Sequence, residues 1–284
     1  MTRVPSSRQR SRLCLGVLIA LATVLSACTS ASLQQRAGYW ADESLPAQAY
    51  NQRVRFLVMH YTGGDEPRAV QVLTGPSVSS HYLVAPAPPA KGGAPIVRQL
   101  VPESARAWHA GTSSWRGRHH LNDSSIGIEI VNAGPLRGAS GSAWQGFGGT
   151  QMQAVIALSR DIISRYDISP QNVVGHSDIS PGRKVDPGPA FPWEMLYRNG
   201  IGAWPDDTTV AAYRSRFASN FPTLYSIQTA LARYGYDIPV TGVMDQRTHA
   251  VVVSFQMHFR PARYDGIPDL DTVARLWALN EKYR

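Results

Sequence analysis

The segment Gly175–Gly188, GHSDISPGRKVDPG, sets a histidine (His176), a lysine (Lys184) and an aspartate (Asp186) in one Gly/Pro-rich loop directly after the apolar run Val173–Val174. A loop anchored by a strand and stiffened by Pro181 and Pro187 can hold two metal-ligand side chains at fixed separation, with a cation between them. Polar loops are as often merely solvated, so the chemistry depends on what the rest of the chain brings to the same place.

Two further residues bear on that question. His60 closes VRFLVMHY (Val54–Tyr61), a branched and aromatic run charged only at Arg55, which predicts a central strand buried on both faces. Strand alternation puts Val54, Phe56, Val58 and His60 on one side, so His60 ends its row beside the loop Thr62-Gly63-Gly64. Alone, such a histidine is more often a hydrogen-bonded core residue than a ligand. Glu129 lies in SIGIEIVN (Ser125–Asn132), with Ile126, Ile128 and Ile130 on one face and Gly127, Glu129 and Val131 on the other. A carboxylate inside an apolar run carries a desolvation cost unless paired, and its pKa should rise. Such a glutamate is more often functional than decorative.

Together, His60, His176 and Asp186 offer two imidazoles and a carboxylate without a thiolate, a set that suits one tetrahedral zinc with its fourth position open to water. Glu129 can then act as general base toward that water, and Lys184 can stabilise the oxyanion formed at an attacked carbonyl. The implied reaction is metal-assisted amide hydrolysis.

The elements that must position these groups follow an α/β pattern. Ser79–Ala85 is a second strand, opened by His81, which can line a cleft or simply pack and cap; Ile96–Val101 is a possible return strand. Ala107–Asn122 has no clear period and carries Trp108, His109, Trp115, His119 and His120, groups that suit a sugar or peptide ligand. The adjacent pair His119 and His120 is expected to be solvated. His81, His109, Trp115 and Asn132 are the candidate substrate contacts. Thr150–Tyr166 opens on a Thr150-x-x-Gln153 capping-box pattern and places apolar residues at helical spacing, so it should cover one face of the sheet; Phe191–Tyr197 predicts a short closing helix.

Both ends have a different character. Residues 1–27 have an arginine-bearing start, an apolar stretch and the close Leu25-Ser26-Ala27-Cys28, the pattern of an export signal whose ending resembles a bacterial lipobox. Cleavage would leave a lipid on Cys28 and a polar tether over residues 28–50. The other cysteine, Cys14, lies inside the signal, so no disulfide and no thiolate ligand remain. Four of the arginines behind the net charge of +8 sit in this signal, which leaves weak evidence for any charged partner, and export argues against nucleic acid. From Trp204 onward the pattern turns helical. After the amphipathic Leu224–Tyr234, a motif occurs twice: Gly242-Val243-Met244-Asp245-x-x-Thr248-x-Ala250 and Gly266-Ile267-Pro268-Asp269-x-x-Thr272-x-Ala274. Each predicts a turn, a cap and an apolar helix.

The ordered motifs VMHYTGG, AWHAG, SIGIEIVN and GHSDISPGRKVDPG resemble the zinc-dependent N-acetylmuramoyl-L-alanine amidases of the AmpD/AmiD type, related to phage T7 lysozyme and the peptidoglycan recognition proteins, over roughly Arg53–Gly200. The resemblance implies a mixed central β-sheet flanked by helices. It also implies cleavage between the lactyl group of N-acetylmuramic acid, or its anhydro form, and the L-alanine of the stem peptide. It puts one zinc on His60, His176 and Asp186, and catalysis on Glu129 and Lys184. Phage relatives have a catalytic tyrosine where this chain has Ser80 and a cysteine at the position of Asp186; the five key positions show no departure from the AmpD/AmiD pattern. The repeat resembles the helical peptidoglycan-binding domain appended to wall hydrolases. The expected organisation is signal 1–27, tether 28–50, zinc amidase 51–203 and a small all-α peptidoglycan-binding domain 204–284. It describes a monomeric enzyme, lipid-anchored in the envelope and facing the periplasm from the outer membrane, with peptidoglycan or muropeptides as partner. The alternative is a peptidoglycan-binding lipoprotein that keeps the fold without turnover.

Overall fold

The computed structural model describes residues 32–136 and 143–283. The signal and Cys28 lie outside the described residues. The described residues fall into two units, divided between Asn51 and Gln52. In the first, the expected tether contains an exposed antiparallel hairpin, Leu33–Arg36 with Tyr39–Asp42, turning at Gly38.

The second unit is built on a five-stranded mixed sheet. Its strands in chain order are β1 (Phe56–Tyr61), β2 (Tyr82–Val84), β3 (Arg98–Gln99), β4 (Ser125–Ile130) and β5 (Val173–Gly175), and their spatial order is β5-β1-β4-β2-β3. All neighbours are parallel except the β2–β3 edge pair. Helices account for much of the remainder: α1 (Glu66–Leu73), α2 (Gly149–Tyr166), α3 (His176–Ile179), α4 (Trp193–Arg198), α5 (Asp207–Ser219), α6 (Leu224–Tyr234), α7 (Gln246–Phe259) and α8 (Leu270–Lys282). β1 is apolar on both faces up to His60, with five of its six residues buried, whereas β4 is apolar on its isoleucine face and carries Ser125, Gly127 and Glu129 on the other.

Helix α2 begins differently from the capping-box expectation. Gly148 is its N-cap and makes no side-chain cap, while the buried Gln151 donates from Nε2 to the carbonyls of Val84 and Val131 at the ends of β2 and β4. The first turn thus supplies a donor to the buried Val131 carbonyl and a second one to Val84 O, which already accepts from Val131 N–H. Asp245 and Asp269 do cap α7 and α8, accepting from the N–H groups of Thr248 and Thr272. The repeat also reaches one helix further upstream than its motif. Gln228 of α6 accepts from Gly242 N–H and donates to Val243 O and Thr248 Oγ1; Gln256 of α7 accepts from Gly266 N–H and donates to Ile267 O and Thr272 Oγ1. One hydrophobic core runs from Val54 in the sheet region to Leu279 in α8, so the change of sequence character near Trp204 is no break in packing.

Glu103 ties the sheet to α2. Its carboxylate accepts from Tyr82 Oη at 2.7 Å, Tyr166 Oη at 2.8 Å and Arg165 Nη2 at 2.8 Å, with Arg165 Nη1 closing the fork. Burial alone would raise this carboxyl, but the hydrogen bonds from Arg165, Tyr82 and Tyr166 outweigh it and hold the pKa at about 2. With the unfolded value at roughly 4.3, the network stabilises the fold above that pH, and its contribution is lost as pH falls through about 2. Because Arg165 is partly exposed and the pair is screened by solvent, replacing Glu103→Gln should cost only about 1–2 kcal/mol at neutral pH. Urea denaturation should show the gap to the parent protein closing near pH 2, and a gap independent of pH would contradict this account.

Candidate active site

Parallel pairing sets His60 directly opposite Glu129, with Val58 opposite Gly127 and Phe56 opposite Ser125. Partners in register share a sheet face, so the imidazole and the carboxylate project side by side at the carboxyl ends of β1 and β4. On the other side of β1, β5 ends at Gly175 and the next residue is His176. The expected loop starts as one helical turn, α3, before it reaches Asp186. A Cβ at Gly175 would lie 2.7 Å from the ring of Pro187, so glycine here lets the two ends of the loop close on each other. Ser177 N–H donates to Asp186 O at 2.8 Å, which fixes both ligand-bearing ends together.

The three candidate ligands converge. His60 Nδ1 lies 3.0 Å from His176 Nδ1 and 2.9 Å from Asp186 Oδ2, and His176 Nδ1 is 3.1 Å from the same oxygen. All three residues are buried and form a group able to hold a metal ion. Ligands about 2.0–2.1 Å from a tetrahedral zinc are separated by roughly 3.3 Å, so the spacing observed needs only slight opening to admit one. Their outer nitrogens are occupied in a consistent direction. His176 Nε2 faces Ala110 O at 3.2 Å, which puts its proton on Nε2 and leaves Nδ1 free to ligate. His60 Nε2 donates to His109 Nδ1 at 3.0 Å, His109 Nε2 to Ser125 Oγ at 3.1 Å, and Ser125 Oγ to Leu121 O at 2.7 Å. Burial lowers the pKa of His60 to about 4 against the pull of Asp186, keeping the imidazole neutral as a metal ligand must be. Burial would raise the Asp186 carboxyl, but hydrogen bonds from His176 and His60 hold it below the ordinary carboxylate range.

Glu129 opens partly onto a cavity of about 350 Å³ that also contains His60, His176, Lys184 and Asp186. Its Oε2 is buried without a hydrogen-bond partner. Burial, reinforced by the Asp186 charge and offset in part by Lys184, pushes its pKa well above the usual carboxylate value, as expected from sequence. An unpaired buried oxygen beside a cluster of metal-type donors is costly in a merely structural residue and useful in a base.

The four candidate substrate contacts divide. His109 lines the cavity, but its ring nitrogens are engaged by His60 and Ser125, which makes it a brace behind His60. His81 is fully buried, accepting from Gly127 N–H and facing Ala105 O, so of its two open readings packing applies. Asn132 is buried and donates to Gln145 O and Gly146 O. Trp115 is 1 % exposed, edge-on to Tyr236 at 4.9 Å, with its indole N–H given to Gln171 O. The hairpin Ser114–Trp115 with Arg118–His119 turns it into the core, away from the cavity. Trp108 of the same segment is the indole at the cavity, 55 % exposed. Arg183 was not singled out from sequence; it lines the cavity and ties the ligand loop to the AWHAG segment through Ala110 O and Thr112 O. Its place next to Lys184 was the one available signal.

The chain belongs to the N-acetylmuramoyl-L-alanine amidase family, whose model matches residues 50–189, and it is an amide hydrolase of that class; residues 222–276 match the model of a peptidoglycan binding domain. Among individual proteins, it is 47% identical over 269 residues to the N-acetylmuramoyl-L-alanine amidase AmiD of Escherichia coli strain K12, covering 94% of this chain and 97% of that one. The structure of E. coli AmiD in complex with the substrate anhydro-N-acetylmuramic acid-L-Ala-D-gamma-Glu-L-Lys superposes with a TM-score of 0.81 at 46% identity, over 89% of this chain and 98% of that one. AmpDh3 of Pseudomonas aeruginosa, in complex with anhydromuramic pentapeptide, gives a TM-score of 0.78 at 43% identity, over 88% and 98% of the two chains.

Gly127 is the position on which the brace depends. A Cβ there would fall 2.6 Å from the His109 ring, which His60 and Ser125 hold in place. Gly127→Ala should therefore destabilise the metal-free protein by about 1–3 kcal/mol through overpacking. Thermal denaturation measures this, and an unchanged Tm would mean that the ring can move aside freely.

Proposed function

We propose that His60, His176 and Asp186 hold one zinc ion and that the chain hydrolyses the amide between N-acetylmuramic acid, or its anhydro form, and the L-alanine of the stem peptide. The observation that carries this reading is the convergence of two imidazole nitrogens and one carboxylate oxygen to within 3.1 Å of one another. An unpartnered Glu129 oxygen belongs to the same cavity. The anhydromuramyl peptides bound to E. coli AmiD and to AmpDh3 support the substrate class.

Zinc, when bound, supplies Lewis-acid polarisation of the scissile carbonyl and of the attacking water. The protein's own groups supply the rest. Glu129 Oε2, whose burial raises its proton affinity above that of an ordinary carboxylate, accepts the proton of the attacking water and returns it to the departing alanine nitrogen. Lys184, at the cavity wall, offsets the negative charge that grows on the carbonyl oxygen. Trp108, exposed at the same cavity, offers an apolar face to the sugar or stem peptide. His109 and Ser125 keep His60 in the tautomer that leaves Nδ1 free.

We further propose that the chain divides into an amidase domain over 51–203 and a peptidoglycan-binding domain over 204–284, which raises the local concentration of wall substrate without adding chemistry. A lipid on Cys28 would anchor this monomer in the outer membrane facing the periplasm; Thr29 after the cysteine supports that sorting. Among the described residues no helix is long and apolar enough to cross a membrane. The alternative without turnover is disfavoured by the complete set of ligands, base and lysine.

The test is mass spectrometry of fragments released from muropeptides and from purified peptidoglycan, with and without chelator. Free stem peptides should appear, vanish on chelation and return with zinc; silence in the presence of zinc would defeat the reading. Glu129→Gln should retain bound zinc by elemental analysis while turnover falls by about 10²–10⁴. Retained turnover would remove Glu129 from the mechanism. For the anchor, Cys28→Ala should move the protein from the membrane to the soluble fraction, and continued sedimentation with membranes would refute it.

A further inference from the structure

Asp178 is 1 % exposed and lies in the helical turn that carries His176. Its carboxylate accepts three hydrogen bonds. Gly175 N–H reaches Oδ2 at 2.8 Å from within the loop. The other two come from the C-terminal helical region: Tyr236 Oη to Oδ1 at 2.7 Å and His258 Nδ1 to Oδ2 at 2.7 Å. Both partners are themselves fixed by ring contacts. Tyr236 stands edge-on to Trp115 at 4.9 Å, and His258 lies flat on Trp193 at 3.8 Å.

A buried carboxylate must have its acceptor sites filled, and the loop fills only one of those seen here. Without Tyr236 and His258, Asp178 would turn toward water or pull on Gly175, and His176 lies between those two residues in the chain. The displacement would not stop at His176, because Ser177 N–H holds Asp186 O. Two of the three metal-type donors therefore depend on one buried carboxylate, and that carboxylate depends on residues outside the sheet region.

We propose that Tyr236 and His258 are positioning residues for the metal site, acting through Asp178, so that the C-terminal helices support the ligand geometry in addition to any contact with the wall. This rests on the reading that His60, His176 and Asp186 bind zinc. Partners behind a metal ligand typically change affinity by about 10–100-fold when removed, since ligand atoms must be held to within about 0.5 Å.

The experiment uses the full chain and the double variant Y236F/H258F, which removes both donors while keeping aromatic rings in place. Its comparator is W277L, which loosens the packing of Trp277 on Phe217 without touching Asp178. Zinc affinity is measured by competition with a chromogenic chelator, the ligand field by the visible spectrum of the cobalt-substituted protein, and folding by Tm. The expected result is at least about tenfold weaker zinc binding and shifted cobalt bands in Y236F/H258F. W277L should keep parental values for both despite a lower Tm. Parental affinity and spectrum in a folded double variant would overturn the proposal, as would equal losses in W277L, which would reduce the contact to general stability. Should the double variant not fold, Y236F alone, lacking a single oxygen, decides by the same two readouts. If the parent chain binds no zinc, or binds it equally with His176→Ala, the zinc reading itself falls and takes this one with it; parental zinc binding with unaffected variants sinks this one alone.

Discussion

The parallel register of β1 against β4 is the constraint on which the remaining geometry depends. It pairs His60 with Glu129, so one ligand and the base emerge on the same face, at the same level, from two adjacent central strands. A slip of one residue would send one of them to the opposite face, because the side-chain period of a strand is two. Register is held against such a slip by burial on both sides. Ile126, Ile128 and Ile130 line the face opposite Glu129, and all three are fully buried.

Around that pair, the protein builds stiffness in layers. The ligand loop leaves the neighbouring strand β5 and returns Asp186 to within 3.1 Å of His176, closed by Pro187 against Gly175 and by the Ser177-to-Asp186 backbone bond. Behind His60, a directional series through His109 and Ser125 ends on a backbone carbonyl, so each proton has one place to be. Arg183 holds the far side of the loop to the AWHAG segment. Ligands supported in this way lose little conformational freedom on taking up a metal, which is the physical advantage of placing them on strand ends and a short braced loop.

The C-terminal helices belong to the same packed body. Their core is continuous with that of the sheet, Trp115 stands edge-on to Tyr234 and Tyr236, and Asp178 is satisfied from α7 and from the residue two beyond α6. A module added only to hold polymer would not need to share a buried carboxylate with the catalytic loop. Sharing one couples the folding of the helices to the order of the metal-type donors.

Much of this was legible in the residues because chemistry restricts them locally. Two imidazoles, a carboxylate, a glutamate in an apolar strand and a lysine in a ligand loop are individually unusual, and strand alternation already put His60 and Glu129 at defined levels on their strands. The capping aspartates of α7 and α8 were legible for the same reason, since a cap acts within four residues of itself. What the sequence could not decide was direction across space. In the irregular Ala107–Asn122 segment no period says which indole faces in, and only the hairpin at Ser114–His119 turns Trp115 into the core while Trp108 stays at the cavity. The roles of His81, His109 and Asn132 likewise depend on partners far away in the chain, as do the bonds of Gln151 to Val84 O and Val131 O and the satisfaction of Asp178 by Tyr236 and His258. Residue identity and local periodicity determined which groups could do chemistry. Long-range packing decided which of them meet, because hydrogen-bond partners 58 and 80 positions apart leave no mark on local pattern.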